Sequence, residues 1–224
     1  MEELGKIHQL VVPLFGYEMH FNVEVILYTW LVMVLLIVFG LFTTRRLNII
    51  PGKKQVLGET LVSGLYDLTQ DALNEELGRK YAPMICALFL FLVVCDSIGI
   101  VPFLEEPTKD LNVPLSLGLM GFVIAHYCGL RAKGIKGYVK EYTQPFFVML
   151  PLNIIGELAK VISISFRLFG NIMGGSIIIL VVSHLIYSLV LPPFLFFFFG
   201  LFIGTIQAFV FTMLTIVYIS VQVN

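Results

Sequence analysis

Apolar and polar residues fall in blocks along this chain. Four apolar blocks, 25–42, 82–101, 111–130 and 194–219, have close to the roughly 20 residues that a helix needs to cross about 30 Å of hydrocarbon. A fifth run, 144–191, would measure on the order of 70 Å as one helix at about 1.5 Å per residue, more than twice that thickness. It must tilt steeply, break or fold back, with Gly174–Gly175 the expected weak point and Pro192–Pro193 the end of the run. The pattern predicts an all-α polytopic membrane protein with five membrane-embedded segments in a single membrane domain over 1–224.

Between the first two blocks the period changes. Leu57, Leu61, Leu65, Leu68 and Ala72 recur at helical spacing, with Glu59, Asp67, Asp71 and Glu75 on the other side. An amphipathic helix over 56–76 is expected at the membrane surface. Anionic lipid disfavours its acidic face, which leaves a protein neighbour or solvent to meet it.

Composition agrees with a bilayer as the main solvent. Hydrophobic residues make up 58% of the chain and charged ones 13%, with a mean hydropathy of +0.94, whereas soluble domains carry about 25% charged residues. The net charge of −1 supplies no basic surplus for nucleic acid. Cys86, Cys95 and Cys128 lie in apolar runs without metal-binding spacing and are read as small buried hydrophobes. No resident metal and no bound cofactor are expected, since His8, His20, His126 and His184 are scattered and no phosphate-binding or nucleophile motif occurs. Residues 1–23 lack the pattern of a signal peptide and are expected to remain as an external N-terminal segment.

Basic residues set the orientation. Six of the fourteen (Arg45, Arg46, Lys53, Lys54, Arg79, Lys80) lie between the first and second spans, and four (Arg131, Lys133, Lys136, Lys140) between the third and fourth. The N-terminal segment holds only Lys6 and the 102–110 loop only Lys109. The positive-inside rule then makes the two rich loops cytoplasmic, the N-terminus external and the C-terminus cytoplasmic.

The remaining two, Lys160 and Arg167, sit inside the long run 144–191, fourth in chain order. A charge there costs at least about 2.5–3.5 kcal/mol and needs a partner or a wet cavity. At about 100° per residue from Asn153, Glu157 falls near 40°, Lys160 near 340°, Arg167 near 320° and Asn171 near 0°. Gly156, Ser163, Gly170 and Gly174 flank that sector at about 260–300°, so the polar edge is also thin enough for another helix to approach. Glu157 and Lys160 either neutralise each other at i,i+3 or serve the ion, whereas Arg167 has no acid within a turn of its helix. In the last span, Gly200, Gly204, Gln207, Phe211, Tyr218 and Gln222 follow three- and four-residue steps. Gln207 there is either interhelical glue or a functional group. The Phe196–Phe199 run suits lipid contact or packing.

The string SFRLFGNIMGG, with LAK before the arginine, and the segment TIQAFVFTMLTIVYIS resemble subunit a of the F-type ATP synthase. The resemblance extends over nearly the whole order of elements, including PMICALFLFLVVCDSIGIVP and DLNVPLSL. It implies a multi-pass cell (plasma) membrane protein whose last two segments are long and steeply tilted. It implies a non-catalytic stator subunit that offers two half-channels to a ring of c subunits, held by peripheral-stalk b subunits and the remaining ATP synthase subunits. Arg167 becomes the arginine facing the ring, with Asn171 and Gln207 on the ion path. Many members carry an acid nine positions after the arginine and a histidine seven before the glutamine, where this chain has Ser176 and Gly200. Proton and sodium thus both stand as the transported ion, with Glu157, Asp96, Glu105, Glu106 and Asp110 as substitute acids. An autonomous secondary transporter predicts inverted repeats with paired broken helices, and a membrane scaffold does not call for an unpaired intramembrane charge.

Single cysteines should be labelled from outside in the N-terminal segment and at position 109, and from the cytoplasm in 44–81 and 131–143. Labelling of position 109 only from the cytoplasm would reverse the orientation.

Overall fold

A computed structural model describes residues 9–14, 17–44, 52–73, 75–101, 104–143, 149–185 and 191–223. Five helices are long and apolar enough to cross a membrane, so the fold is all-α through the bilayer and the chain is a multi-pass membrane protein. Arg45, Arg46, Lys6, and parts 144–148 and 186–190 of the fourth apolar run lie outside the described residues.

A short antiparallel hairpin, β1 (Gln9–Leu14) and β2 (Tyr17–Asn22), precedes the first span. The sequence reading left this segment without structure, because strand pairing is not visible in hydropathy blocks. α1 (Val23–Thr44) follows directly. Val32 is its one buried residue and packs with Cys95 and Ile98, while most of its apolar surface is exposed, as suits a helix solvated by lipid.

α2 (Lys53–Leu73) corresponds to the expected amphipathic helix but turns a different face inward. Leu65, Thr69 and Leu73 are buried at four-residue steps, whereas Leu61 and Leu68 are exposed. The side chain of Leu57 lies outside the described residues. Thr69 tolerates burial because its hydroxyl donates to the Leu65 carbonyl at 2.6 Å. The apolar stripe read from leucines alone therefore missed the helix's packing face. α2 packs closely on α3 (Glu75–Ser97): a Cβ on Gly78 would stand 2.6 Å from Gln70 Cα. Cys86, Cys95 and Cys128 are free and buried, in line with their reading as small hydrophobes.

Two 3-10 turns, Ile98–Ile100 and Pro107–Lys109, lead to α4 (Asn112–Thr143). The helix runs on past the expected end at 130 and bends sharply at Gly134 (φ 69°, ψ 160°). The segment expected as a cytoplasmic loop is thus helical on both sides of one glycine. α5 (Met149–Leu185) spans 37 residues without interruption, about 55 Å at the helical rise, so it exceeds the bilayer thickness unless inclined. Gly174–Gly175 does not break it. A Cβ on Gly175 would stand 2.8 Å from the Phe199 ring, so this glycine admits an aromatic side chain to the helix surface.

The final element is α6 (Leu191–Phe197), a π-helical stretch over Phe198–Ile203, and α7 (Gly204–Val223). Pro192 and Pro193 stand in its first turn, where a missing N–H leaves no bond unmade. α7 touches α2, α3, α4 and α5 and is the axis of the bundle. Leu168, Ile172, Ala208 and Phe211 join Cys86 and Leu92 in the largest core cluster. Ile216 and Ile219 meet Ile85, Ala125 and Cys128 in a second.

Only glycine adopts the Gly134 backbone readily, and a β-branched residue there should cost about 1–3 kcal/mol. Thermal unfolding in detergent should show Gly134→Val destabilised, with Gly137→Ala close to the parent. Equal melting of Gly134→Val and the parent would show that the bend is not fixed by this residue.

Candidate ion-translocation site

Arg167 lies near the middle of α5 and is exposed on the surface of the chain. The helix buries Val161, Ile164, Ser165, Leu168 and Ile172 along one stripe and leaves Arg167, Gly170 and Asn171 outside it. Glycines extend the exposed side, because a Cβ built on Gly156, Gly170 or Gly174 meets nothing within 4 Å. Among the described residues, no carboxylate lies within ion-pair distance of Arg167.

Glu157 and Lys160 pair as their spacing allows, with Nζ 2.6 Å from Oε1, and the ammonium lies 5.8 Å from the Tyr218 ring. Their exposed flank borders an open pocket of about 320 Å³ that also includes Tyr142, Asn153, Gly156 and Gln222. Asn153 Nδ2 donates to the Tyr142 carbonyl at 3.1 Å.

Asn171 and Gln207 are brought together from α5 and α7. Asn171 Nδ2 donates to Gln207 Oε1 at 2.7 Å. Gln207 is 4% exposed, and its Nε2 is buried without an acceptor among the described residues. Asn171 follows Arg167 by one turn and shares its face, so Gln207 is linked through one hydrogen bond to the arginine's side of α5. Ser176 is not gathered into this group. It falls about 180° from Arg167 at 100° per residue, and its hydroxyl returns to the Ile172 carbonyl of its own helix at 3.0 Å.

A profile of the ATP synthase A chain family matches residues 26–220. The chain belongs to the subunit a family of the F-type ATP synthases. It is 36% identical to ATP synthase subunit a 2 of Bradyrhizobium sp. strain BTAi1, covering 88% of this chain and 86% of that protein. It is 35% identical to ATP synthase subunit a of Moorella thermoacetica, over 86% of this chain and 87% of that one. With ATP synthase subunit a of Solidesulfovibrio magneticus it shares 38% identity over 87% of this chain and 82% of that protein. The matched residues include the whole polar edge of α5 and the inner face of α7 as far as Ile219.

Sequence reasoning missed a network at the C-terminal end of the bundle. Beyond the bend at Gly134, Tyr138 and Tyr142 each donate to Gln222 Oε1, at 3.0 and 3.3 Å. His126 Nε2 lies 3.5 Å from the Tyr142 hydroxyl. Gln222 stood in the three- and four-residue series of the last span, but nothing in that series identified its partners. It also missed Thr108, which donates to Asp96 Oδ1 at 2.8 Å.

A double-mutant cycle of Asn171→Leu and Gln207→Leu should give a coupling of about 0.6 kcal/mol, and at most about 1.7, the range of interhelical hydrogen bonds in membranes. Detergent unfolding of the four variants measures it. A coupling near zero would show that the two amides do not bond.

Proposed function

We propose that this chain is the ion-translocating stator subunit of a rotary F-type ATP synthase. It offers two half-channels to a ring of c subunits, couples proton or sodium flux to ATP synthesis, and makes no covalent bond itself. The observation that carries the reading is Arg167, a permanent charge on an apolar helix, on a face that the described residues leave uncovered and that glycines keep thin. Lipid is a poor neighbour for a guanidinium, so this face calls for a partner helix bearing an acid. A carboxylate on a passing c subunit meets that requirement, because an opposite charge within about 4–6 Å favours the ionised acid and releases its ion.

The pocket beside Glu157 and Lys160 supplies the cytoplasmic half-channel in this reading, and Gln207 with Asn171 lies on the external one. The C-terminus is then cytoplasmic and the N-terminal hairpin external, in the cell membrane. Peripheral-stalk b subunits and the remaining synthase subunits complete the assembly and hold this chain against the ring.

Arg167→Ala should abolish ATP synthesis under an imposed ion gradient while leaving the protein inserted and assembled. Removal of a charge from hydrocarbon does not harm folding, but without it ring carboxylates stay occupied and ions cross by idle rotation. Synthesis per recovered complex should fall at least about tenfold, equivalent to about 1.4 kcal/mol. Arg167→Lys should be nearly as damaging, since a compact hydrated ammonium lacks the planar fork. Normal coupled synthesis in Arg167→Ala would sink the proposal. Running the assay with and without sodium separates the two ions.

A further inference from the structure

At the other end of the bundle from the Glu157 pocket, α3 carries an acid that the polar edge of α5 does not use. Asp96 has no exposed surface. Thr108, equally buried, holds Oδ1, while Oδ2 is buried without a donor among the described residues. A buried carboxylate oxygen in this state calls for a proton, a cation or water. Lys109, in the adjoining turn, is engaged elsewhere: its Nζ lies 2.8 Å from Glu106 Oε2, off the direction of a hydrogen bond.

Two close contacts fix Asp96 against the last helix. A Cβ on Gly204 would stand 2.7 Å from Asp96 Cβ, and one on Gly200 would stand 3.5 Å from the Asp96 carbonyl oxygen. Gly204 precedes Gln207 by three residues, on the same face and about 4.5 Å along the axis. Gln207 Nε2 is the second orphan here, a buried donor without an acceptor among the described residues. An unsatisfied acceptor on α3 and an unsatisfied donor on α7 thus flank one glycine contact, and each needs a group that the described residues do not provide. The far side of Gln207 is bonded to Asn171, one turn from Arg167. Thr108 is bonded to Asp96 and Asn171 to Gln207, so with the Asp96–Gly204 contact these groups follow one another across four elements, from the 107–109 turn through α3 and α7 to the exposed face of α5.

We propose that Asp96 is a proton-relay carboxyl of the external half-channel, which takes a proton on Oδ2 from the side of the 104–110 turn and releases it toward Gln207 and the face of Arg167. The inference rests on the reading of the chain as an ion-translocating stator. It gives a carboxyl to the external route, where α5, whose Glu157 lies at the pocket end, offers Ser176 turned back onto its own helix. The step is one proton gained and one lost at Oδ2, with Oδ1 held by Thr108 throughout.

Asp96→Asn keeps the volume and the acceptor for Thr108 but cannot carry a proton. In vesicles holding the intact complex, proton uptake driven by ATP, per recovered complex and without sodium, should fall at least about tenfold, at the low edge of what a positioned proton carrier contributes. Asp96→Glu should retain most of the flux. Thr108→Val, which removes the bond but leaves the carboxyl, should lose far less than Asp96→Asn. Parent-like uptake in Asp96→Asn overturns the proposal, and so does a loss confined to sodium-dependent flux. If Asp96→Asn is not recovered in membranes, Asp96→Glu decides, and loss of flux in its recovered complexes overturns the relay. Arg167→Ala in the same assay separates the levels: coupled uptake there would defeat the stator reading itself, whereas loss there with parent-like Asp96→Asn would defeat only the relay.

Discussion

An ionised side chain in hydrocarbon is costly, and much of this molecule is arranged around one. Several other polar groups of the spans are settled within the chain. Thr212 and Thr215 donate to carbonyls of their own helix at 2.8 and 2.9 Å, Lys160 pairs with Glu157, and Gln222 is held by two tyrosines. Arg167 has no such settlement among the described residues, and the helix that carries it buries the opposite stripe. α7, enclosed by four helices, fixes α5 from behind and so turns the arginine outward.

Hydropathy made the membrane segments legible because lipid selects for apolar side chains over a length that the bilayer sets. It was less informative about how helices bend and which faces they bury. Gly174–Gly175 looked like a break because glycine weakens helices in water. In hydrocarbon no water competes for the backbone groups, so leaving the helix costs more than keeping a glycine in it. Gly134 does bend α4, at a position that the sequence reading placed in a loop because four basic residues surround it. Charge reports on which side a segment lies, not on whether it is helical. The face of α2 was misjudged for a related reason: Thr69 counts as polar in a pattern, yet its intrahelical hydrogen bond lets it be buried.

The candidate site divides in the same way. A wheel at 100° per residue gathered Glu157, Lys160, Arg167 and Asn171 on one edge of α5, since those relations are internal to one helix. The bond between Asn171 and Gln207 depends on how α5 and α7 are set against each other, which no single-helix period contains. The contact of Asp96 with Gly204 is of the same kind. Gly200 and Gly204 stand at four-residue spacing in the last span, but that α3 packs there and brings an acid is visible only in the fold.

The order of the groups along α5 constrains any cation that uses them. Lys160 precedes Arg167 by seven residues and Asn171 follows it by four, about 10 Å and 6 Å along the axis. The guanidinium therefore stands between the pocket at one end and the Asn171–Gln207 bond at the other. Two unit positive charges about 4 Å apart repel by roughly 4 kcal/mol at an effective dielectric constant of 20, and by more where the surroundings are drier. A cation moving straight along this edge would have to pass that barrier, and Arg167 cannot lower it by giving up its own proton. On the proposed stator reading, the easier course is to leave the chain on one side of Arg167 aboard a neutralising carboxylate and return on the other. A fixed cation between two polar approaches would, on that reading, make movement of the partner the low-energy route for the ion, which is the condition for coupling flux to rotation.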